Sequence, residues 1–224
     1  MNSHGLDRII AFSDAVVAIA ITLIILPLVD TAGDLRNATV GDWLQQNVGS
    51  LAAAALSFAV IGSFWLQHHS LYERIEGYTR PTVYLNFVWL AGIVFLPLPT
   101  VLLVEARGDD RGAPVLYIST MLVSIAALAL VETLSKRAGL VKEATSLVVR
   151  RQRHWYPVIL MAVALVLAAT VPGVGNKALF VLLLTSPIAS FRRRLHPKGD
   201  AGSTEAPATA EADSAPPRAG ASPE

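Results

Sequence analysis

There is no cysteine in the 224 residues, and only 16% of them are charged. Without cysteine there is no disulfide, no thiolate nucleophile and no thiolate metal site, and the redox compartment stays open. The scarcity of charge excludes more. A soluble domain carries about a quarter of its residues charged, whereas here 53% of the chain is hydrophobic. Apolar surface in that excess calls for lipid. Also missing are a Walker phosphate loop and a Ser, His and acid set that the sequence could bring together. Gly173-Val174-Gly175-Asn176-Lys177-Ala178 matches the G-x-G-x-x-A form of a dinucleotide fingerprint, but it lies between two apolar segments with no βαβ unit around it, so it reads as a turn. Neither enzyme activity, cofactor, metal nor nucleic acid partner is expected.

What is present is a series of long apolar stretches. Crossing a hydrocarbon core of about 30 Å takes roughly 20 apolar residues in a helix. Segments near that length run from Ile9 to Val29, Gly49 to Gln67, Val83 to Val104, Pro114 to Val131, Trp155 to Val171 and, shorter and containing Pro187, Ala178 to Phe191. Barrel strands would alternate apolar and polar residues, and Leu122 to Val131 does not alternate. The expected fold class is therefore all-α, a polytopic membrane protein with six transmembrane helices. Ala18-Ile19-Ala20 resembles a signal-peptidase site, but apolar sequence continues past it, so the first segment should be retained.

The charges sort by side. With the N-terminus in the cytoplasm, every basic residue except Arg36, Arg107, Arg111 and Lys177 falls inside, while Asp30, Asp34, Asp42, Glu105, Asp109 and Asp110 fall outside. The positive-inside rule then puts both termini in the cytoplasm and favours an even number of crossings. The basic stretch Glu132 to His154 is expected to be partly helical on the inner membrane surface. Residues 1–195 read as one membrane domain. Residues 196–224, rich in Pro, Ala, Gly, Ser and acid, read as a disordered cytoplasmic tail.

Within the second segment, Ala55, Ala59 and Ser63 recur every four residues beside Gly62, a small-residue stripe of the kind that seats another helix. His68 and His69 are about 100° apart on a helix and do not share a metal ion readily; His69 and Glu73 are spaced to do so, but no third ligand is in sight. Polar residues at membrane depth are the stronger lead, because charge there is costly. Asp14 sits inside the first segment, about 9 Å along the axis from Arg8. Arg8, Ser13, Asp14, Trp65, His68, His69 and Asn86 share one level if the second helix ends near His68 and His69 and the third begins near Asn86. They form either a proton or ion relay or an interhelical polar clamp; the clamp is favoured. On a helical wheel Ile19, Leu23, Leu26 and Asp30 fall within a band of about 40°, with Thr22 about 60° aside and Asp14 about 140° away. Phe12 shares that face. The first helix thus presents an apolar wall with one hydroxyl beside it and an acid at its end, the wall meeting lipid, a neighbour or a pore.

Arg8-Ile9-Ile10-Ala11-Phe12-Ser13-Asp14 matches an R-x-x-x-F-S-D signature, continued through Leu23 and followed by Phe64-Trp65-Leu66-Gln67-His68-His69, Asn86 and Leu96-Pro97-Leu98-Pro99-Thr100. On these motifs, which cover about the first hundred residues, the chain resembles the transmembrane protein 175 family of potassium channels. That resemblance implies a channel without the TVGYG filter loop, which this sequence also lacks, and with first helices from several subunits lining the pore. Bacterial relatives with one six-helix unit look like homotetramers. Carried over residue by residue, Ile19 is the principal constriction, Leu23 and Leu26 are further apolar layers, and Thr22 is the hydroxyl layer linked to potassium preference. Arg8, Phe12, Ser13 and Asp14 lock the first helix to its neighbours. Ser63 and Ser70 stand where many bacterial relatives carry basic residues.

The expectation is a potassium-selective leak-type channel subunit of the bacterial plasma membrane, with modest selectivity, membrane lipid around it and potassium ions as its ligand. Asp30 is added on physical grounds, as an outer-mouth acid that concentrates cations. The alternative is a proton-coupled membrane transporter using Asp14 and His69, and a third reading is a non-conducting membrane scaffold.

Overall fold

The computed structural model describes residues 3–33, 39–106, 110–142 and 155–170, and they are helical almost throughout. In chain order the helices are α1 (Ser3–Leu23), α2 (Leu26–Ala32), α3 (Val40–Gln46), α4 (Val48–Tyr72), α5 (Arg80–Phe95), α6 (Pro97–Glu105), α7 (Gly112–Arg137) and α8 (Trp155–Thr170). Among the described residues there is no strand, and an isolated antiparallel bridge joins Ile75 to Val141. Four stretches are long and apolar enough to cross a membrane: His4–Ala32, Val48–Tyr72, Arg80–Glu105 and Gly112–Arg137. The apolar part of α8, Tyr156–Thr170, is shorter. The sixth expected segment, most of the basic stretch up to His154 and the tail lie outside the described residues.

Two of the four crossings are broken by proline. Pro27 stands in the first turn of α2, and Pro97 opens α6 with Pro99 two residues on. Proline has no N–H and its ring crowds the preceding turn, so the helix yields just before it. Elsewhere the helices outrun the apolar count. Thr79 closes a capping box with Thr82 and starts α5 at Arg80. At the other end α4 continues a turn past Gln67 to Tyr72, so His68 and His69 lie within the helix rather than at its end. The C-terminal turns of α7 are polar, with Lys136 Nζ 3.0 Å from Glu132 Oε1. Before α4, the carboxylate of Asp42 accepts from the Thr39 side chain and backbone, which caps α3 and holds the Asp42 carboxyl below its usual range.

Membrane helices associate by close packing and hydrogen bonding, since lipid removes most of the hydrophobic drive between them. The seam between α5 and α7 is tight. A Cβ at Gly92 would overlap Ser124 Oγ and come within 3.6 Å of the Thr120 carbonyl. Around the seam Trp89, Ile93, Tyr117 and Ile118 are fully buried. A buried hydroxyl chain ties α4, α6 and α7 together. The Thr100 hydroxyl donates to the Leu96 carbonyl at 2.7 Å, Ser57 Oγ lies 2.7 Å from Thr100 Oγ1, and Tyr117 OH lies 3.1 Å from Ser57 Oγ. With the Thr100 proton taken, Ser57 donates to Thr100 and Tyr117 donates to Ser57.

The small-residue stripe on α4 is not the face that meets the other described helices. Ala55 and Ala59 are exposed, and a Cβ at Gly62 meets nothing within 4 Å. The face that α4 turns to its own chain is instead carried by Ala54, Ser57, Ile61, Phe64, His68 and Leu71. A contrast follows. Gly92→Val should lower the unfolding free energy of the purified protein by about 1–3 kcal/mol through overpacking, while Gly62→Ala should leave it unchanged; thermal unfolding in detergent micelles distinguishes the two.

Candidate functional site

The first helix meets its own chain along one side. Leu6, Ser13, Val17 and Ala20 on α1, then Ile24 and Leu28 at the break and beyond it, are buried. Their spacing of three, four or seven residues is that of one helix face. Ala11, Phe12, Ala15, Ala18, Ile19, Thr22, Leu23, Leu26, Val29 and Asp30 are exposed, again at three- and four-residue intervals. Ile19 is 61% exposed, Leu26 51% and Leu23 41%. Among the described residues no helix covers the stripe from Ala15 onward, large and apolar though many of its side chains are. The residues that the wheel grouped therefore lie together on the open side, Thr22 with them.

Polar contacts fasten the other side. His68, Asn86 and Ser13 are all buried and joined in series. Asn86 Oδ1, an acceptor only, lies 2.9 Å from His68 Nε2, which makes that nitrogen the donor. The Asn86 amide donates to Ser13 Oγ at 2.9 Å, and Ser13 donates to the Ile9 carbonyl at 2.8 Å. One continuous hydrogen-bond chain thus runs from α4 through α5 into α1. Beside it, the Trp65 indole donates to Asp14 Oδ1 at 2.8 Å, so half-buried Asp14 is paired with α4 and not with a cation. Phe12 stacks obliquely on Phe87 of α5, with ring centroids 5.9 Å apart.

Two residues fall outside this arrangement. Arg8 is exposed and makes no hydrogen bond or ion pair among the described residues. His69 stacks on Trp65, with centroids 5.3 Å apart, and its Nε2 lies 3.2 Å from Glu73 Oε1, so it reaches Asp14 only through Trp65. Sequence reasoning missed Tyr72 and Trp89, which stack on either side of His68 with centroids 4.3 and 4.1 Å away. The signal was there. Tyr72 is four residues beyond His68 and Trp89 three beyond Asn86, which is same-face spacing in a helix.

Chemically, Asp14 is held by Trp65 and His69 by Glu73, and the site's distinctive feature is its surface. It offers a fastened helix whose open side carries apolar rings and one hydroxyl. The Thr22 hydroxyl donates its proton to the Ile19 carbonyl at 2.7 Å. Its oxygen lone pairs therefore face away from the helix, as a cation ligand requires. Asn86→Leu should remove both bonds that Asn86 makes and leave the His68 Nε2–H without an acceptor, a loss of about 1–3 kcal/mol, read as a lower denaturation midpoint in detergent.

The family model described as "Endosomal/lysosomal potassium channel TMEM175" matches residues 8–97. The chain is 38% identical over 130 residues to a protein of Streptomyces collinus named a potassium channel, a stretch covering 56% of this chain and 60% of that one. It is 36% identical over 105 residues to a potassium channel of Chamaesiphon minutus, covering 44% and 49%. It is also 38% identical over 104 residues to the "Endosomal/lysosomal proton channel TMEM175" of Bos taurus, covering 41% of this chain and 21% of that one. The alignments thus span less than two thirds of these relatives' own lengths. Among solved structures, the crystal structure of a lysosomal potassium-selective channel TMEM175 homolog from Chamaesiphon minutus superposes with a TM-score of 0.65 at 25% identity, covering 84% of this chain and 98% of that one.

Proposed function

We propose that this chain is a member of the transmembrane protein 175 family, on its similarity to that family's model and to the two bacterial potassium channels, and that it is one subunit of a homotetrameric, potassium-selective leak channel of a bacterial plasma membrane. The observation that carries the reading is the uncovered stripe on α1 opposite the fastened face. In the tetramer four copies of that stripe surround one axis, residues 1–195 form the conducting unit, and both termini with the tail from residue 196 lie in the cytoplasm.

Each layer then has a physical task. Four Ile19 side chains form an apolar ring that stops ions by dewetting, and Leu23 and Leu26 add further apolar rings beyond it. Four Thr22 oxygens, their protons turned toward the Ile19 carbonyls, replace part of a hydration shell. Neutral hydroxyls of that kind give modest preference for potassium over the more strongly hydrated sodium. Asp30, exposed on α2, raises the cation concentration at the outer mouth. Ser13, Asp14, Trp65, His68 and Asn86 hold the pore helix in place, with Phe12 against Phe87; Arg8 serves at the cytoplasmic surface and His69 acts through Trp65.

The proton-coupled transporter reading requires Asp14 and His69 to exchange protons. Asp14 accepts from Trp65, and His69 pairs with Glu73. The two are not hydrogen-bonded to each other, so the channel is preferred. Purified protein in liposomes should pass potassium faster than sodium under an imposed gradient. Ile19→Asn should raise the flux of both ions, and Thr22→Val should reduce the preference while retaining flux. Absence of potassium flux from well-incorporated protein would overturn the proposal.

A further inference from the structure

Arg8 has no polar partner in its own chain. It is exposed, and among the described residues its guanidinium makes no hydrogen bond or ion pair. Its place round the helix gives the charge a direction. At about 100° per residue, Arg8 lies about 20° from Ala15 and from Ile19, and about 40° from Phe12 and from Thr22. All of these are exposed. The one arginine of α1 therefore stands on the open stripe, about 16 Å along the axis from Ile19, at the end that the positive-inside rule puts in the cytoplasm.

The acids nearby do not neutralise it. Asp7 precedes Arg8 in the chain but is turned about 100° from it and lies within about 20° of Asp14, on the flank where the Trp65 indole of α4 donates to the helix. Glu73, at the end of α4, is engaged by His69 at 3.2 Å. His4, also exposed, falls about 40° from Arg8 and brings no negative charge. Arginine carries its charge permanently, so the stripe is apolar through its length and cationic at one end.

We infer that Arg8 makes conduction directional: its four copies form a cationic ring in the cytoplasmic mouth that depletes potassium there and limits the outward current. The inference rests on the channel reading above. Rings of charged side chains tune channels by this means, and a narrow mouth with low-dielectric walls focuses their field. The other end of the stripe carries the opposite sign in Asp30, which is exposed on α2. A potassium ion arriving from outside is concentrated before it meets the Ile19 ring, whereas one arriving from the cytoplasm is depleted. The larger current therefore flows inward. Screening extends over about 10 Å at 0.1 M salt and about 3 Å at 1 M, so the asymmetry fades as salt is raised.

The test uses the full chain in planar bilayers with equal potassium on both sides, and reads the ratio of single-channel currents at equal and opposite voltages. At about 0.1 M salt, Arg8→Gln should raise the smaller current severalfold and bring the ratio toward one; at about 1 M it should change little. Arg8→Lys should keep the ratio of the unaltered chain, because the charge acts and not the fork of donors. Since the chain has no cysteine, Arg8→Cys offers a single thiol. A positively charged thiol reagent should restore the original ratio, and a negatively charged one should carry it beyond that of Arg8→Gln. An unchanged ratio in Arg8→Gln overturns the inference. Loss of current in Arg8→Gln, or Arg8→Lys behaving like Arg8→Gln, also overturns it and makes the guanidinium a lock between subunits. Failure of the channel reading looks different, because the unaltered chain would then pass no potassium at all.

Discussion

The hydrogen-bond chain from His68 through Asn86 to Ser13 and the Ile9 carbonyl is the constraint on which the arrangement of the first helix depends. Each member occupies a place that lipid cannot serve, and each bond in the series is supplied by the next member. Because Asn86 presents an acceptor to one neighbour and a donor to the other, three helices must agree on rotation and height at once. The ring stacking of Tyr72 and Trp89 on His68 then fixes the plane of the imidazole that starts the chain. The chain ends on an amide carbonyl. That carbonyl is an acceptor with no proton of its own to pass on.

With that side committed, the open face of α1 is free of polar demands within its own chain. Two faces of one helix therefore carry separate tasks. Small apolar and branched side chains alternate along the open stripe, and its one hydroxyl is internally bonded. Such a surface is compatible with lipid, with another subunit and with a narrow aqueous path. Neither Pro27 nor the break it causes disturbs the buried side, where Ile24 and Leu28 continue the contact across the interruption.

Much of this was legible from the sequence, and the failures have identifiable physical sources. Helical periodicity separated Asp14 from Ile19, Leu23 and Leu26 correctly, because a rotation of about 100° per residue holds over the unbroken part of α1. The depth arithmetic that grouped Arg8 with Asp14 counted rise and not rotation. Six residues turn a helix by about 600°, which leaves the two side chains about 120° apart. The end of the second helix was misjudged, because polar residues carry it beyond its apolar stretch to Tyr72. The alanine stripe on α4 was readable as a packing surface, but spacing alone does not say what covers it, and none of the described helices buries Ala55 or Ala59.

Polar attachments hold α1 near Ser13 and Asp14, whereas from Val17 onward its contacts with the chain are apolar. Apolar contacts permit small sliding without stranding a donor or acceptor. The helix is mechanically a cantilever, clamped near one end. Thr22 lies nine residues from Ser13, a lever arm of about 14 Å, and a tilt of about 5° at the clamp displaces it by about 1 Å. Small changes in how Asn86 and Trp65 grip the base are thereby magnified at the hydroxyl, far from where they are made.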